Sequence, residues 1–173
     1  MPRETPSYSS AGLSIDAVRE ADLPEFRELL GELAETLDMA DIYTVQDDQL
    51  REALFSESAE MEAIIARYKG EPAGIATWVE GFHLIRGSKI MGFEYMYVRP
   101  KFRSYSVAIA MLVYLVALAK HRGYLRIEGF VQDWNDPIAA FYRSLNATAA
   151  SQSAYRLDLD KIDWSMFKRI FGR

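Results

Sequence analysis

The segment Val107–His121 most limits what this chain can fold into. Its longest apolar run, Val107–Ala119, is interrupted only by Tyr114. A membrane span needs roughly 20 such residues, so no span is expected here. A helix that is apolar on nearly every side must be covered by other structure. Gly123 follows it where a helix C-terminus favours glycine. The chain has 173 residues and half of them are apolar, which predicts one folded domain with a real core.

The remaining pattern supplies that cover. Leu13, Ile15 and Ala17 alternate with Ser14, Asp16 and Val18, which predicts a first strand. Asp22 precedes Pro24 and Glu25, a helix-start pattern. The helix continues through Phe26, Leu29, Leu30 and Leu33 to about Leu37. Asp38–Thr44 reads as a loop. Thr44, with Asp47 three positions on, reads as the cap of a second helix reaching about Phe55.

Three strands are predicted next: Met61–Tyr68, Ala73–Phe82 and Ile90–Val98, separated by turns at Lys69–Pro72 and Arg86–Lys89. After the apolar helix come a strand over Tyr124–Val131 and a helix from Pro137 to near Leu145. A strand over Ser153–Leu159 follows. Last is a short amphipathic helix carrying Ile162, Trp164, Phe167 and Ile170. The order is β-α-α-β-β-β-α-β-α-β-α, an α/β chain with a mixed sheet. Residues 1–12 are polar with Pro and Ser and read as a flexible arm. Residues 13–173 read as a single domain.

Composition removes several chemistries. With no cysteine, disulfides, thiolate nucleophiles and Cys-based zinc sites are excluded. Only His83 and His121 supply imidazole, far apart in sequence, so no metal is expected. No signal peptide is visible, which reads as a soluble, cytoplasmic protein. The net charge is −5. An acidic chain whose basic residues are not in one block argues against nucleic acid. Asp16 to Glu62 holds fifteen acidic and three basic residues, whereas Arg86 to Arg173 holds fourteen basic and seven acidic. Solvated outer faces of amphipathic helices account for much of the acidic excess.

The stretch Glu94–Ala108 carries the chemistry: a strand, a basic loop, then a helix start. Free N–H groups at a helix N-terminus, with the helix dipole, favour an anion. Arg99, Lys101 and Arg103 add charge, and Ser104 and Ser106 add hydroxyl donors. This is a candidate pyrophosphate site that needs neither metal nor a P-loop.

The run Glu94-Tyr-Met-Tyr-Val-Arg-Pro-Lys-Phe-Arg-Ser-Tyr-Ser-Val-Ala108 resembles the strand and helix signature of GNAT (GCN5-related) N-acetyltransferases. Asp133-Trp-Asn-Asp-Pro-Ile-Ala-Ala-Phe-Tyr-Arg-Ser-Leu-Asn-Ala147 resembles another family segment. Its Asp-Trp-Asn and Phe-Tyr-Arg-Ser-Leu pieces look most like the diamine (spermidine/spermine-type) branch.

The resemblance implies the GNAT acyl-CoA N-acyltransferase fold and acetyl-CoA as cofactor. It implies that Met96, Tyr97 and Val98 pair with the pantetheine arm. The loop Arg103, Ser104, Tyr105, Ser106, Val107 and Ala108 would bind the pyrophosphate, with Asn135 and Arg143 also near the cofactor. Tyr142 would protonate the leaving thiolate, and Glu94 would accept the amine proton or hold a cationic substrate. Asp41, Tyr43, Trp78, Glu80 and His83 would line the acceptor site. One departure stands out: Ser106 occupies a position that is usually glycine, the residue favoured where backbone takes positive φ.

Two readings follow. The first is acetyl transfer to the primary amine of a small acceptor, cationic if the acidic half bears on it. The second is a binding or regulatory protein of the same fold that has lost catalysis. The apolar C-terminal helix would suit a homodimer contact or packing on its own sheet.

Overall fold

The computed structural model describes residues 5–130, 136–144, 146–150, 158–159 and 165. Two compact units make up the chain, Met1–Phe130 and Val131–Arg173. The first holds a six-stranded sheet in the order β1-β2-β3-β4-β5-β6. Its strands are β1 (Tyr8–Ser10), β2 (Leu13–Ala17), β3 (Glu62–Tyr68), β4 (Glu71–His83), β5 (Ser88–Val98) and β6 (Ile127–Gly129). Neighbours are antiparallel up to β5, and β6 runs parallel to β5. The helices α1 (Leu23–Thr36) and α2 (Asp47–Phe55) lie between β2 and β3, and α3 (Val107–His121) lies between β5 and β6.

The sheet divides two cores. One packs Ile15, Ile64, Ala76, Trp78, Met91 and Val98 with Met111, Leu115 and Leu118 of α3. The other packs Ile65, Ile75 and Tyr97 with Phe26, Leu29 and Leu33 of α1. Alternation along each strand deals its residues to the two cores in turn. Close contact of β4 with β5 requires Gly74, because a Cβ there would collide with the Tyr97 carbonyl.

Most predicted elements appear within a residue or two, α3 at the predicted limits. The polar arm differs: Tyr8–Ser10 add β1 to the sheet edge. The arm is also tied to α3. Tyr114 Oη donates to the Pro6 carbonyl, and Arg122 Nη2 donates to Thr5 Oγ1 at 2.9 Å. Arg122 also forms a salt bridge of 2.8 Å with Glu62, both largely buried.

Among the described residues, the strand predicted over Tyr124–Val131 is confined to Ile127–Gly129, and Val131 lies outside them. The cover expected around α3 is incomplete. Ile109, Val113 and Val116 are 51%, 62% and 51% exposed, since the sheet buries only one side of the helix.

Asp22 takes the N-cap position of α1 as predicted, with Pro24 and Glu25 in the first turn, but its side chain makes no cap bond; its carboxylate accepts from the Arg19 backbone N–H at 2.8 Å and from Arg67 at 2.9 Å. Burial works against the ionised Asp22, but the hydrogen bonds from Arg19 outweigh it and hold its pKa below the ordinary value. At α2 the N-cap is Gln46 rather than Thr44, and the Gln49 side chain accepts from the Gln46 N–H at 2.8 Å.

In the second unit, α4 (Asp136–Ser144) matches the helix predicted from Pro137. Asn146 closes it at φ 61°, a left-handed conformation that asparagine tolerates. Most of the strand predicted over Ser153–Leu159, and the residues named for the final helix, lie outside the described residues.

Burial pushes the Tyr114 phenol up to about 12 from the ordinary 10. Below pH 10 it is neutral in folded and unfolded chains alike. Above that the unfolded chain ionises first, so stability falls as pH rises between 10 and about 12. Tyr114→Phe is expected to flatten this alkaline loss in urea titrations. At neutral pH it costs about 1 kcal/mol through the lost bond to Pro6.

Candidate acyl-transfer site

The site begins where β5 loses a neighbour. β6 pairs with β5 only at Met91↔Ile127, Gly92↔Glu128 and Phe93↔Gly129. From Glu94 onward, that edge of β5 has no strand partner among the described residues. The register with β4 also shifts here. Tyr95 lies opposite Thr77 and Phe93 opposite Trp78, which leaves Glu94 as the extra residue of a bulge. A bulge bends its strand and re-aims a side chain, and Glu94 is exposed. Met96, Tyr97 and Val98 follow along the open edge. Their side chains go to the two cores, Met96 and Val98 toward α3 and Tyr97 toward α1. What remains for a ligand at these positions is backbone.

β5 then leads into a 3-10 turn, Pro100–Tyr105, and directly into α3. Ser106 is the hinge between them, at φ 56° and ψ 21°. This is the left-handed region, where glycine is favoured and an L-residue is strained by roughly 1 kcal/mol or more. The serine therefore keeps the backbone path that a glycine would take. No side chain caps α3. Its first helical bond runs from the Ala110 N–H to the Ser106 carbonyl at 3.0 Å. The N–H groups ahead of Ala110, on Val107, Ala108 and Ile109, thus have no partner within the helix.

The loop cations divide sharply. Arg99 is not available to an anion: its guanidinium holds Glu32 at 2.7 Å and Glu28 at 2.7 Å and donates to the Pro72 carbonyl at 3.1 Å. The hydrogen bond to Glu32 pushes the Arg99 pKa up, and the same bond holds Glu32 below the usual carboxylate range. Lys101 pairs with Glu71 and sits 4.9 Å over the Phe102 ring. Arg103 donates from Nε to the Val98 carbonyl at 3.1 Å and has no acidic partner among the described residues. It is the loop cation left to meet an anion. The side chains of Ser104 and Tyr105 are outside the described set.

The candidate acceptor residues scatter. Trp78 is fully buried in the core beneath α3 and does not line an open pocket. Glu80 accepts from Tyr124 Oη at 2.8 Å and pairs with Lys89 at 2.9 Å. His83 Nδ1 accepts the Arg86 N–H at 3.1 Å, capping a turn. Asp41 is exposed in the α1–α2 connection, and Tyr43 nearby donates to the Arg27 carbonyl at 3.1 Å.

On α4, Tyr142 is partly buried and Arg143 is exposed. Burial raises the Tyr142 phenol above its ordinary value, so it stays protonated well past neutral pH. Asn135 lies outside the described residues. Sequence reasoning missed the bulge at Glu94, which no local residue pattern announces, and the capture of Arg99 by α1.

A mixed sheet whose parallel pair parts beside an uncapped helix N-terminus defines an α/β fold built to admit a ligand at the parting. Residues 16–147 match the model of the acetyltransferase (GNAT) family. The chain belongs to that family, whose reaction class is acetyl transfer to an amine. It is 28% identical over 134 residues to thialysine N-epsilon-acetyltransferase of Caenorhabditis elegans, covering 75% of this chain and 82% of that one. The Bos taurus enzyme of the same name is 25% identical over 144 residues, covering 79% and 85%. An aminoglycoside N-acetyltransferase solved in complex with CoA shares the fold at TM-score 0.68 and 17% identity, covering 92% and 99%.

If Ser106 is held left-handed, β-branched Ser106→Val loses roughly 1–2 kcal/mol. Ser106→Gly stays within about 1 kcal/mol of the parent, relief of strain being offset by glycine's entropy. Denaturant midpoints of the two variants test this; equal losses would contradict the left-handed assignment.

Proposed function

We propose that this chain transfers an acetyl group from acetyl-CoA to the primary amine of a small acceptor by direct attack in a ternary complex. The observation that carries this reading is the parting of β5 from β6 beside the uncapped start of α3. The residues there suit CoA. Backbone of Met96, Tyr97 and Val98 offers an open edge to the pantetheine amides. Free N–H groups at Val107 and Ala108, the Ser106 turn and Arg103 offer donors and charge to the pyrophosphate.

When bound, acetyl-CoA supplies an acetyl thioester. Glu94 accepts the proton of the attacking amine as the new C–N bond forms. Backbone N–H groups near the bulge polarise the thioester carbonyl. Tyr142 gives its proton to the sulfur as the C–S bond breaks, and its raised pKa keeps that proton in place at working pH. Residues 13–173 act in this reading as one catalytic domain. The likeness to thialysine acetyltransferases, together with exposed Asp41 in the α1–α2 connection, supports a cationic amine as acceptor.

Acetyl-CoA at about 100 times its Kd is expected to stabilise the protein by about 2.7 kcal/mol, seen as a rise in thermal midpoint. Arg103→Ala reduces that rise. No rise at millimolar ligand would leave a protein of this fold without its cofactor. Tyr142→Phe is expected to cut turnover by about a hundredfold or more while keeping the thermal shift, measured by thiol release with a panel of amines. Unchanged turnover would remove Tyr142 as the acid.

A further inference from the structure

The two β4 residues that straddle the register shift share a second property. Among the described residues, the buried side-chain polar atoms without a hydrogen-bond partner are Thr77 Oγ1 and Trp78 Nε1. Thr77 is 2% exposed and Trp78 is fully buried. An unpartnered buried hydroxyl is destabilising, and valine would fill the same volume without that cost. Ile75, Ala76 and Val79 show that this stretch of β4 is otherwise apolar. Both orphaned atoms thus sit at the one place where β4 and β5 slip out of register.

The bulge accounts for the coincidence. It leaves Glu94 outside the ladder, so the peptide groups there lack partners on β4. Thr77 is opposite Tyr95, the next residue along. Ala76 and Trp78 belong to the α3-side core and Ile75 to the α1-side core, so alternation puts Thr77 on the α1 face of the sheet. A hydroxyl and a peptide left unpaired side by side are what a buried water joins, since such waters make two to four bonds to otherwise unsatisfied groups.

We propose that Thr77 is a positioning residue whose hydroxyl holds a buried water bonded to the bulged peptide at Glu94, fixing the backbone N–H groups from Glu94 to Met96. The inference rests on the acetyltransferase reading, in which those groups face the thioester. Thr77 touches neither cofactor nor acceptor. It acts through the bulge, and its loss loosens donor alignment without weakening the hold on CoA at Arg103 and α3.

Two measurements test it. A crystal structure of the unmodified protein is expected to show an ordered water within hydrogen-bond distance of both Thr77 Oγ1 and a peptide atom of Glu94 or Tyr95. A dry hydroxyl, or one bonded directly to protein, overturns the proposal. In kinetics, Thr77→Val is expected to lower kcat about tenfold, as misalignment at a reacting centre does. KM for acetyl-CoA should stay within about twofold, and the thermal midpoint should fall, because the water and the bulged peptide lose a partner. Thr77→Ser is expected to retain the parent kcat. Parent-like kcat in Thr77→Val overturns the proposal. Should that variant not fold, the crystallographic water decides alone. A parent protein that turns over no amine would sink the acetyltransferase reading, while the water still answers for Thr77.

Discussion

The antiparallel ladder from Gly74 opposite Val98 to His83 opposite Ser88 carries the rest of the structure. Both cores are built on it. Trp78, Met91 and Val98 hold α3 to one face, and Ile75 and Tyr97 hold α1 to the other. Its single shift, at Thr77 and Trp78, falls beside the last β5 residue that pairs with β6. A strand bent by a bulge turns away from a neighbour that continues straight. The opening and the bulge are therefore best understood as one feature, and the site is as rigid as the ladder that produces it. Binding groups carried on strand backbone in this way need little ordering when a ligand arrives.

The loop that follows is fixed from the other side. Arg99 could have served as a phosphate ligand, yet it binds Glu28 and Glu32 on α1 and the carbonyl of Pro72 at the head of β4. Its own backbone N–H donates to the Ala73 carbonyl at 2.9 Å. A largely buried guanidinium with two carboxylates is costly to strip of its partners. That cost holds the chain leaving β5 against α1, and with it the 3-10 turn that delivers Ser106 to α3. The strain at Ser106 is sustained because the elements on either side are anchored, one by Arg99 and the other by the buried face of α3.

Much of this was legible in the sequence, and the reasons differ by element. The apolar density of Val107–His121 called for a helix packed on other structure, of which the sheet covers one side, and the turns at Lys69–Gly70 and near Gly87 framed the strands. The family signature then located the loop and Ser106. Legibility failed where a tertiary partner decides. Asp22 has the sequence of a helix cap but is claimed by Arg19 and Arg67. Arg99 has the sequence of an anion ligand but is claimed by α1. The arm was polar enough to read as loose, because its order comes from Pro6 and Thr5 meeting Tyr114 and Arg122 more than a hundred positions away. The bulge at Glu94 left no trace in residue type, since it comes from pairing two strands whose alternation differs by one residue.

The charge asymmetry between the two halves also changes meaning once partners are known. Glu20, Asp22, Glu25, Glu28, Glu32, Asp47 and Glu62 all lie in the acidic stretch, and all are engaged in ion pairs with arginines. Those carboxylates hold α1, α2 and β3 in place, and their charge is largely neutralised where they stand. The raw count therefore overstates the field that an incoming cation would feel. What bears on an acceptor is the exposed remainder, and Asp38 and Asp41 belong to it at the connection after α1. In the proposed reading, selection for a cationic amine would then depend on a few carboxylates in the α1–α2 connection, and would weaken with salt as exposed charges do. A general attraction by an acidic surface would show the same salt dependence, but would not be abolished by removing Asp41 alone.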